Sequence, residues 1–271
     1  MSPLRALPTL VQDRGNGPPL LLLHGVMVHA VTWRLLVEPL AANHRVITVD
    51  LPGCGSAPKD PAAPRDARSL AAGAAALLDQ LGIEQATIVG HSLGAVVALQ
   101  LALDHPSRVQ RLVLLAPATF PRKSQRALHR ALGFGTVRRL GAAALRAQRD
   151  RVMRASLRYH GRRCTAEEVA TYGAPLGEPG GAECMLDLAA SVFRPAELSA
   201  LVHGLRARPP AVPALVLGAW GDPLVAPLGV QRHAGLLPNS RVCFIDDAGH
   251  ALQVDQPARV LQAMQHFLAA T

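Results

Sequence analysis

The segment Gly90-His91-Ser92-Leu93-Gly94 is the feature of this sequence that points most directly to chemistry. It follows an apolar run at residues 86–89 and precedes a stretch with a helical pattern. Ser92 is therefore expected on a turn from a strand into a helix. The two glycines supply the missing Cβ atoms that so tight a turn requires. Such a nucleophile elbow leaves the serine hydroxyl at the carboxyl edge of a sheet, where it can attack an electrophilic carbon.

A serine hydroxyl is a weak nucleophile alone, so it needs a base, and the base needs an acid to orient it. His250, in Ala248-Gly249-His250, follows a predicted strand at residues 241–246. Asp222, in Trp220-Gly221-Asp222-Pro223, follows another predicted strand at residues 213–218. Because parallel strands end at one edge of a sheet, Ser92, Asp222 and His250 are predicted to meet there as nucleophile, acid and base.

Backbone N–H groups near the predicted nucleophile are candidates for an oxyanion hole. His24-Gly25-Val26 lies at the end of the first buried strand, and Leu93 follows the nucleophile directly. The N–H groups of Val26 and Leu93 are predicted to bind the developing oxyanion, where losing one donor typically costs about 3–4 kcal/mol.

The elements that must position these groups alternate between strand and helix, which indicates a parallel α/β sheet. The helix at 69–81 has Ser69 as its N-cap candidate and Gly82 as its C-terminal signal. Residues 7–12 form one weak strand, and the edge of the sheet stays unassigned. The strands are predicted at 19–23, 45–50, 86–89, 111–116, 213–218 and 241–246, and the helices at 33–42, 69–81, 93–104 and 255–270.

A helical segment interrupts this alternation. Residues 119–210 are rich in Arg, Ala and Leu and lack β-branched strand runs. We therefore predict one core made of residues 1–118 and 211–271, with a helical insert at 119–210.

Together these motifs make the chain resemble the α/β-hydrolase family over essentially its whole length. The chain order Ser92, Asp222, His250 is the order of that family. The resemblance implies an α/β-hydrolase fold, a mostly parallel sheet flanked by helices, and a lid at 119–210. The motifs that carry it are Leu22-Leu23-His24-Gly25 with Trp33, Asp50-Leu51-Pro52-Gly53-Cys54-Gly55-Ser56, Gly90-His91-Ser92-Leu93-Gly94, Asp222-Pro223-Leu224-Val225 and Ala248-Gly249-His250.

The chain departs from the family pattern at two places. Cys54 stands where relatives usually have histidine, and Gly218 and Ala219 stand where they tend to have Trp and Gly. Both departures are expected to be structural.

Other polar residues near these motifs have competing interpretations. Asp50 is expected to cap the glycine turn that follows it, and Asp246 and Asp247 are expected to be solvated. His24 is predicted to organise its loop and His91 to pack beneath the elbow, while a place for His29 in the pocket is left open.

Large apolar side chains of the insert and its start could line a pocket or pack in the core of the insert, and the core is the preferred assignment. They are Phe120, Phe134, Met153, Met185 and Phe193.

Composition narrows the function classes. The 271 residues are 49% hydrophobic and 17% charged, without an apolar run of membrane-spanning length. Four scattered cysteines and a start without a secretory pattern predict reduced thiols in the cytoplasm. Neither a disulfide framework nor a zinc site is expected.

Positive charge is concentrated in residues 121–172, where thirteen Arg or Lys face three acidic residues, an excess larger than the formal +9 of the whole chain. The segment is either a solvated face of the insert or an electropositive rim for an anionic substrate, a carrier-bound acyl group or an anionic membrane surface. The segment does not indicate a nucleic-acid partner, because no aromatic interleaving and no recognition motif accompany the arginines.

The sequence therefore predicts a hydrolase that cleaves an ester or related acyl bond through an acyl-enzyme, with no metal or organic cofactor. A serine at the elbow disfavours haloalkane dehalogenases and epoxide hydrolases, whose relatives use aspartate. Three alternatives stay open: a carbon–carbon bond hydrolase, an acyltransferase, and a non-catalytic binding or accessory protein on the same fold.

Overall fold

The computed structural model describes residues 7–158 and 164–270, so Arg162 and Arg163 of the basic segment and residues 1–6 of the predicted start lie outside it. Within these ranges seven strands form one sheet in the order β1-β3-β2-β4-β5-β6-β7. The strands are β1 (Thr9–Arg14), β2 (Pro19–Leu23), β3 (Arg45–Asp50), β4 (Ala86–His91), β5 (Val109–Leu115), β6 (Ala214–Ala219) and β7 (Ser240–Ile245). The fold class is therefore confirmed as a mostly parallel α/β-hydrolase sheet.

The weak N-terminal strand is the antiparallel edge of the sheet. β1 pairs antiparallel with β3, and the other described strands pair in parallel. All but the first residue of β1 are exposed, as an edge strand allows, whereas β4 and all but the first residue of β2 are buried. The continuous apolar runs of the sequence thus mark strands covered on both faces.

Helices cover both faces of the sheet. On one face, α2 (Ala67–Gln80) and α3 (Leu93–Asp104) pack against Leu21 and Leu23 of β2. On the other face, α1 (Arg34–Ala41) packs against Leu20 and Leu22 together with the C-terminal helix Pro257–Ala269. Alternating side chains of one strand therefore stabilise two separate cores.

The helix predicted at 69–81 starts two residues earlier, for a local reason. Asp66 is the N-cap, and its Oδ1 accepts a 2.9 Å hydrogen bond from the Ser69 N–H. Ser69 lies in the first turn, so the choice of Ser69 as the cap was wrong. Gly82 follows the helix with φ +66°, the left-handed conformation that favours glycine at a helix end.

The insert is helical in its described part. Its helices lie between β5 and β6 in the chain, and their apolar side chains, including Leu145, Met153 and Leu188, join the core on the α3 face of the sheet. They are α4 (Lys123–Leu132), α5 (Gly135–Ala147), α6 (Arg149–Leu157), α7 (Ala166–Gly177), α8 (Gly181–Val192) and α9 (Pro195–Ala207).

Three helices follow in the second part of the core: α10 (Pro227–Gln231), α11 (Leu252–Asp255) and α12 (Pro257–Ala269). The helix predicted at 255–270 is confirmed as α12, which begins two residues later than predicted because Asp255 ends the short helix α11. No helix in the described ranges is both long and apolar enough to span a membrane.

His233 fixes the chain at the start of the insert. Its Nε2 lies 3.1 Å from the Thr119 hydroxyl, and its Nδ1 lies 3.0 Å from the Gly229 carbonyl oxygen. The ring is fully buried, and burial lowers the pKa of His233 to about 4. The imidazole is therefore neutral in the folded protein at neutral pH.

This buried histidine makes stability sensitive to acid. The pKa of His233 is lower in the folded than in the unfolded chain, so the unfolded chain binds the proton first as the pH falls, and stability is lost between pH 6.5 and about 4. We predict that His233→Asn reduces the stability lost between pH 7.5 and pH 5 by about 2 kcal/mol, measured by urea unfolding at each pH. Equal losses in the variant and the parent would contradict this role.

Candidate active site

Ser92 lies on a strained turn between β4 and α3. Its backbone has φ 53° and ψ −109°, a region that non-glycine residues rarely adopt. Glycines make this turn possible. A Cβ on Gly90 would lie 2.5 Å from the Gly94 carbonyl oxygen, and a Cβ on Gly94 would lie 2.1 Å from the Leu23 carbonyl oxygen. The expected elbow geometry is therefore present, and the end of β2 packs directly against the turn.

The three residues predicted to act together form a continuous chain of hydrogen bonds. His250 Nε2 lies 2.9 Å from Ser92 Oγ, and His250 Nδ1 lies 2.8 Å from Asp222 Oδ2. All three residues are buried. An ionised carboxylate can only accept, so Nδ1 carries the hydrogen and donates to Asp222, leaving Nε2 to accept from the serine hydroxyl.

Asp222 is held by the backbone that follows it. Its Oδ1 accepts hydrogen bonds from the N–H groups of Leu224 at 2.7 Å and Val225 at 2.9 Å. One carboxylate oxygen is thus fixed by the main chain, and the other faces the imidazole. This division of the two oxygens orients the histidine ring.

Two further residues position the His250 loop. His91 Nε2 donates to the His250 carbonyl oxygen at 2.9 Å, and the two rings lie 5.0 Å apart. Asp255 Oδ2 accepts from the Gly249 N–H at 2.8 Å. The sequence predicted only that His91 packs beneath the elbow. Asp255 was missed, since nothing in its local pattern distinguishes it from a solvated helix residue.

The predicted oxyanion donors lie around Ser92. Leu93 is the first residue of α3, so its N–H precedes the intrahelical hydrogen bonds. Val26 lines the same cavity as Ser92. The preceding glycine approaches closely, since a Cβ on Gly25 would lie 3.2 Å from Ser92 Cβ.

Asp50 organises the neighbouring glycine-rich loop, as predicted. Its Oδ1 accepts from the Ala30 N–H at 2.8 Å, and its Oδ2 accepts from the Ser56 N–H and hydroxyl at 2.7 and 2.8 Å. Burial opposes ionisation of Asp50, but the nearby His24 and these hydrogen bonds outweigh it and lower the pKa of the carboxyl. A Cβ on Gly55 would overlap this carboxylate, which explains the glycine.

His24 and Cys54 have structural roles at the same glycine-rich loop: His24 contacts this loop from the end of β2, and Cys54 is part of it. His24 Nε2 accepts from the Leu51 N–H at 3.0 Å, so the ring holds the loop as predicted. Burial lowers the pKa of His24 to about 4. Burial also raises the pKa of the fully buried Cys54 to about 12, which keeps the thiol protonated.

A cavity of about 230 Å³ opens onto Ser92 and His250. No Lys, Arg, Asp or Glu is among the described residues that line it. His129 of α4 stacks on Phe193 with ring centres 4.9 Å apart, and burial lowers the pKa of His129. The described lining therefore offers no fixed charge and consists mainly of apolar groups.

Several other candidates lie elsewhere. His29 is outside this cavity and contacts the Thr171 carbonyl oxygen and the Tyr172 ring. Asp246 and Asp247 are exposed, as expected. Phe120 and Phe193 line the cavity, and Met153 and Met185 are buried in the core. Phe134 is 69% exposed, so both its pocket and its core assignments were wrong.

No group of three or more His, Cys, Asp or Glu side chains in residues 7–158 and 164–270 is arranged to hold a metal ion.

The comparisons with known proteins agree with this architecture. A family model described as the alpha/beta hydrolase fold matches residues 18–257. The esterase of Thermogutta terrifontis is similar in structure, with a TM-score of 0.76 and 25% identity, over 96% of this chain and 92% of that chain.

Curated relatives match over a shorter region. A 2-hydroxymuconate semialdehyde hydrolase of Pseudomonas sp. strain CF600 is 40% identical over 118 residues, which is 42% of this chain and 42% of that protein. A pimeloyl-[acyl-carrier protein] methyl ester esterase of Aeromonas hydrophila is 42% identical over 106 residues, 39% of this chain and 40% of that protein. The match spans about two fifths of these relatives.

The contact between Gly94 and β2 predicts a sharp difference between two glycine substitutions. Gly94→Ala forces a Cβ against the Leu23 carbonyl and should destabilise the protein by about 3 kcal/mol. Gly135→Ala at the start of α5 meets nothing within 4 Å and should be neutral or slightly stabilising. Urea unfolding of both variants tests this, and a Gly94→Ala variant as stable as the parent would contradict it.

Proposed function

This chain belongs to the α/β-hydrolase fold family, and from that premise we propose that it is a serine hydrolase that cleaves carboxylic esters through an acyl-enzyme. The observation that carries the proposal is the hydrogen-bonded chain from Ser92 through His250 to Asp222, which faces a cavity without Lys, Arg, Asp or Glu in its described lining. This arrangement supplies a nucleophile, a base and an orienting acid in one place.

In the proposed first step, Ser92 Oγ attacks the ester carbonyl carbon. His250 Nε2 accepts the hydroxyl proton as the new C–O bond forms, and Asp222 stabilises the resulting imidazolium through Nδ1–H. The N–H groups of Val26 and Leu93 bind the oxyanion of the tetrahedral intermediate. His250 then donates its proton to the departing alcohol, which leaves the acyl group on Ser92.

The second step regenerates the enzyme. His250 accepts a proton from water, and the hydroxide equivalent attacks the acyl carbon. The second tetrahedral intermediate collapses, Ser92 recovers its proton from His250, and the carboxylic acid is released. No metal or organic cofactor takes part in this proposed cycle.

The cavity supports a substrate with a neutral, apolar group next to the reacting bond. Burying a charge without a partner is costly, and the described cavity lining offers no fixed charge of either sign. Phe120, Phe193 and Leu128 instead supply apolar surface. We therefore propose short- to medium-chain acyl esters as the substrate class, in keeping with the esterases among the similar proteins.

We propose further that residues 119–210 form a lid over residues 1–118 and 211–271. α4 places Gln125, Leu128 and His129 on the cavity, and Phe193 adds a wall after α8. Because the insert supplies much of the cavity lining, its sequence should set acyl-group selectivity.

The second candidate is carbon–carbon bond hydrolysis. The 40% identity to a 2-hydroxymuconate semialdehyde hydrolase favours it, and a serine with a histidine base could serve it equally. That match covers 42% of this chain, however, whereas the similarity to the Thermogutta terrifontis esterase covers 96%. An acyltransferase would use the same acyl-enzyme and differ in the acceptor, so product analysis with an added alcohol or thiol separates it.

The cytoplasm is the proposed location. All four cysteines are free thiols, and Cys54 and Cys184 are buried. Free thiols persist in a reducing compartment.

Replacing the nucleophile gives the most direct test. Ser92→Ala should abolish both p-nitrophenyl ester turnover and labelling by a fluorophosphonate, because the attacking hydroxyl is gone, while circular dichroism stays unchanged. Ser107→Ala, at an exposed position outside both cavities, is the control and should label like the parent protein. Undiminished labelling of a folded Ser92→Ala variant would refute the proposal.

Replacing the orienting acid tests whether Asp222 is needed for His250 to act as the base of Ser92. Asp222→Asn preserves shape but can donate to Nδ1, which favours the wrong tautomer of His250. We expect a loss of about 10⁴ in kcat, the size seen for such a change in the trypsin-like enzymes. A loss below about tenfold would show that Asp222 does not orient the base.

A further inference from the structure

Helix α4 separates two cavities. Gln125, Leu128 and His129 line the reaction cavity described above. Arg126 and Arg130, one helical turn apart, line a second cavity of about 250 Å³ between α4 and α9. The two cavities are neighbours, because each also has Phe120 and Pro121 in its wall.

The second cavity combines an apolar floor with a cationic rim. Leu198, Val202 and Pro195 of α9 supply the apolar surface opposite the arginines. The described lining contains no Asp or Glu. A third guanidinium stands nearby, since Arg232 Cζ lies 5.6 Å from the centre of the Phe120 ring.

These arginines have no acidic partner among the described residues, in contrast to some arginines of the insert. Arg138 is paired with Asp187 at 2.7 Å, and Arg146 is paired with Glu183. Within the described ranges, Arg126, Arg130 and Arg232 form no ion pair. Arg126 donates only to the Pro121 carbonyl oxygen, at 3.3 Å, which holds it over the shared wall. Like charges gathered in this way repel one another, and an anion between them would relieve the repulsion.

The geometry points to a subsite for a carboxylate at the far end of the acyl chain, so that this enzyme hydrolyses half-esters of dicarboxylic acids. The inference rests on the proposed function. The ester carbonyl lies at Ser92 in the reaction cavity, the methylene chain passes the shared wall at Phe120 and Pro121, and the distal carboxylate meets Arg126 and Arg130. Arginine suits this role because its planar guanidinium pairs with a carboxylate through two parallel hydrogen bonds.

Chain length supplies the first test. Methyl esters of butanoic, hexanoic, octanoic and decanoic acid are compared with the monomethyl esters of the diacids of equal length. Methanol is so small a leaving group that the acyl chain alone must fill the site. We expect kcat/KM of the diacid half-ester to exceed that of its neutral match three- to tenfold at one or two chain lengths, as two partly exposed ion pairs allow. This preference should fall toward one in 0.5 M NaCl, because salt screens exposed charges.

Substitution supplies the second test. The double variant Arg126→Gln, Arg130→Gln should reduce the preference to about one at the optimal length, and Arg126→Lys, Arg130→Lys should restore part of it. Arg139→Gln on α5 removes an exposed arginine that has no described ion pair and lies outside both cavities. This control should keep the full preference. A preference of one or less at every length would overturn the inference, as would a preference that the double glutamine variant retains.

Failure of the subsite and failure of the proposed function are distinguishable. If fluorophosphonate labels Ser92 and neutral esters are hydrolysed without a diacid preference, only the subsite fails. If no ester is hydrolysed, calorimetric titration of Ser92→Ala with both ester series still tests the second cavity. Tighter binding of the half-esters that depends on Arg126 and Arg130 would support the subsite, and equal binding would reject it.

Discussion

The hydrogen bond between the Ser92 hydroxyl and the His250 imidazole is the contact on which the rest of this account depends. It joins two residues 158 positions apart in the chain, so it requires the carboxyl ends of β4 and β7 to lie at one edge of the sheet. The strained backbone of Ser92 directs the hydroxyl toward the ring. Asp222, held by two backbone N–H groups, fixes the ring from the other side.

Charge is distributed around this contact in layers. The groups that hold the loops, His24 and His233, are kept neutral by burial, and the described lining of the cavity at Ser92 has no fixed charge. The positive charge predicted from residues 121–172 lies on the insert, partly in ion pairs and partly in the unpaired arginines of α4. A reaction cavity without fixed charge beside a cationic one suits an amphipathic substrate, in which the reacting bond and the charged end are separated by a methylene chain.

The fold and the proximity of Ser92, Asp222 and His250 could be predicted from the sequence because both depend on local sequence patterns. Continuous apolar runs marked buried strands, and glycines marked the elbow and the Asp50 loop. Contacts that depend on packing between distant segments left no such signal. Two such contacts are the hydrogen bond from His91 to the His250 carbonyl oxygen and the stacking of His129 on Phe193. Both depend on how the loops and the helices of the insert pack against each other. The exposure of Phe134 shows the same limit, since an aromatic residue in a helical region gives no indication of which face it occupies.

Mass spectrometry of the enzyme quenched during turnover of a slowly deacylating ester tests the central claim most directly. The account predicts an acyl adduct, located by peptide mapping on Ser92, that forms and decays at rates matching product release. Turnover without any adduct on Ser92, or with the acyl group on another residue, would contradict it.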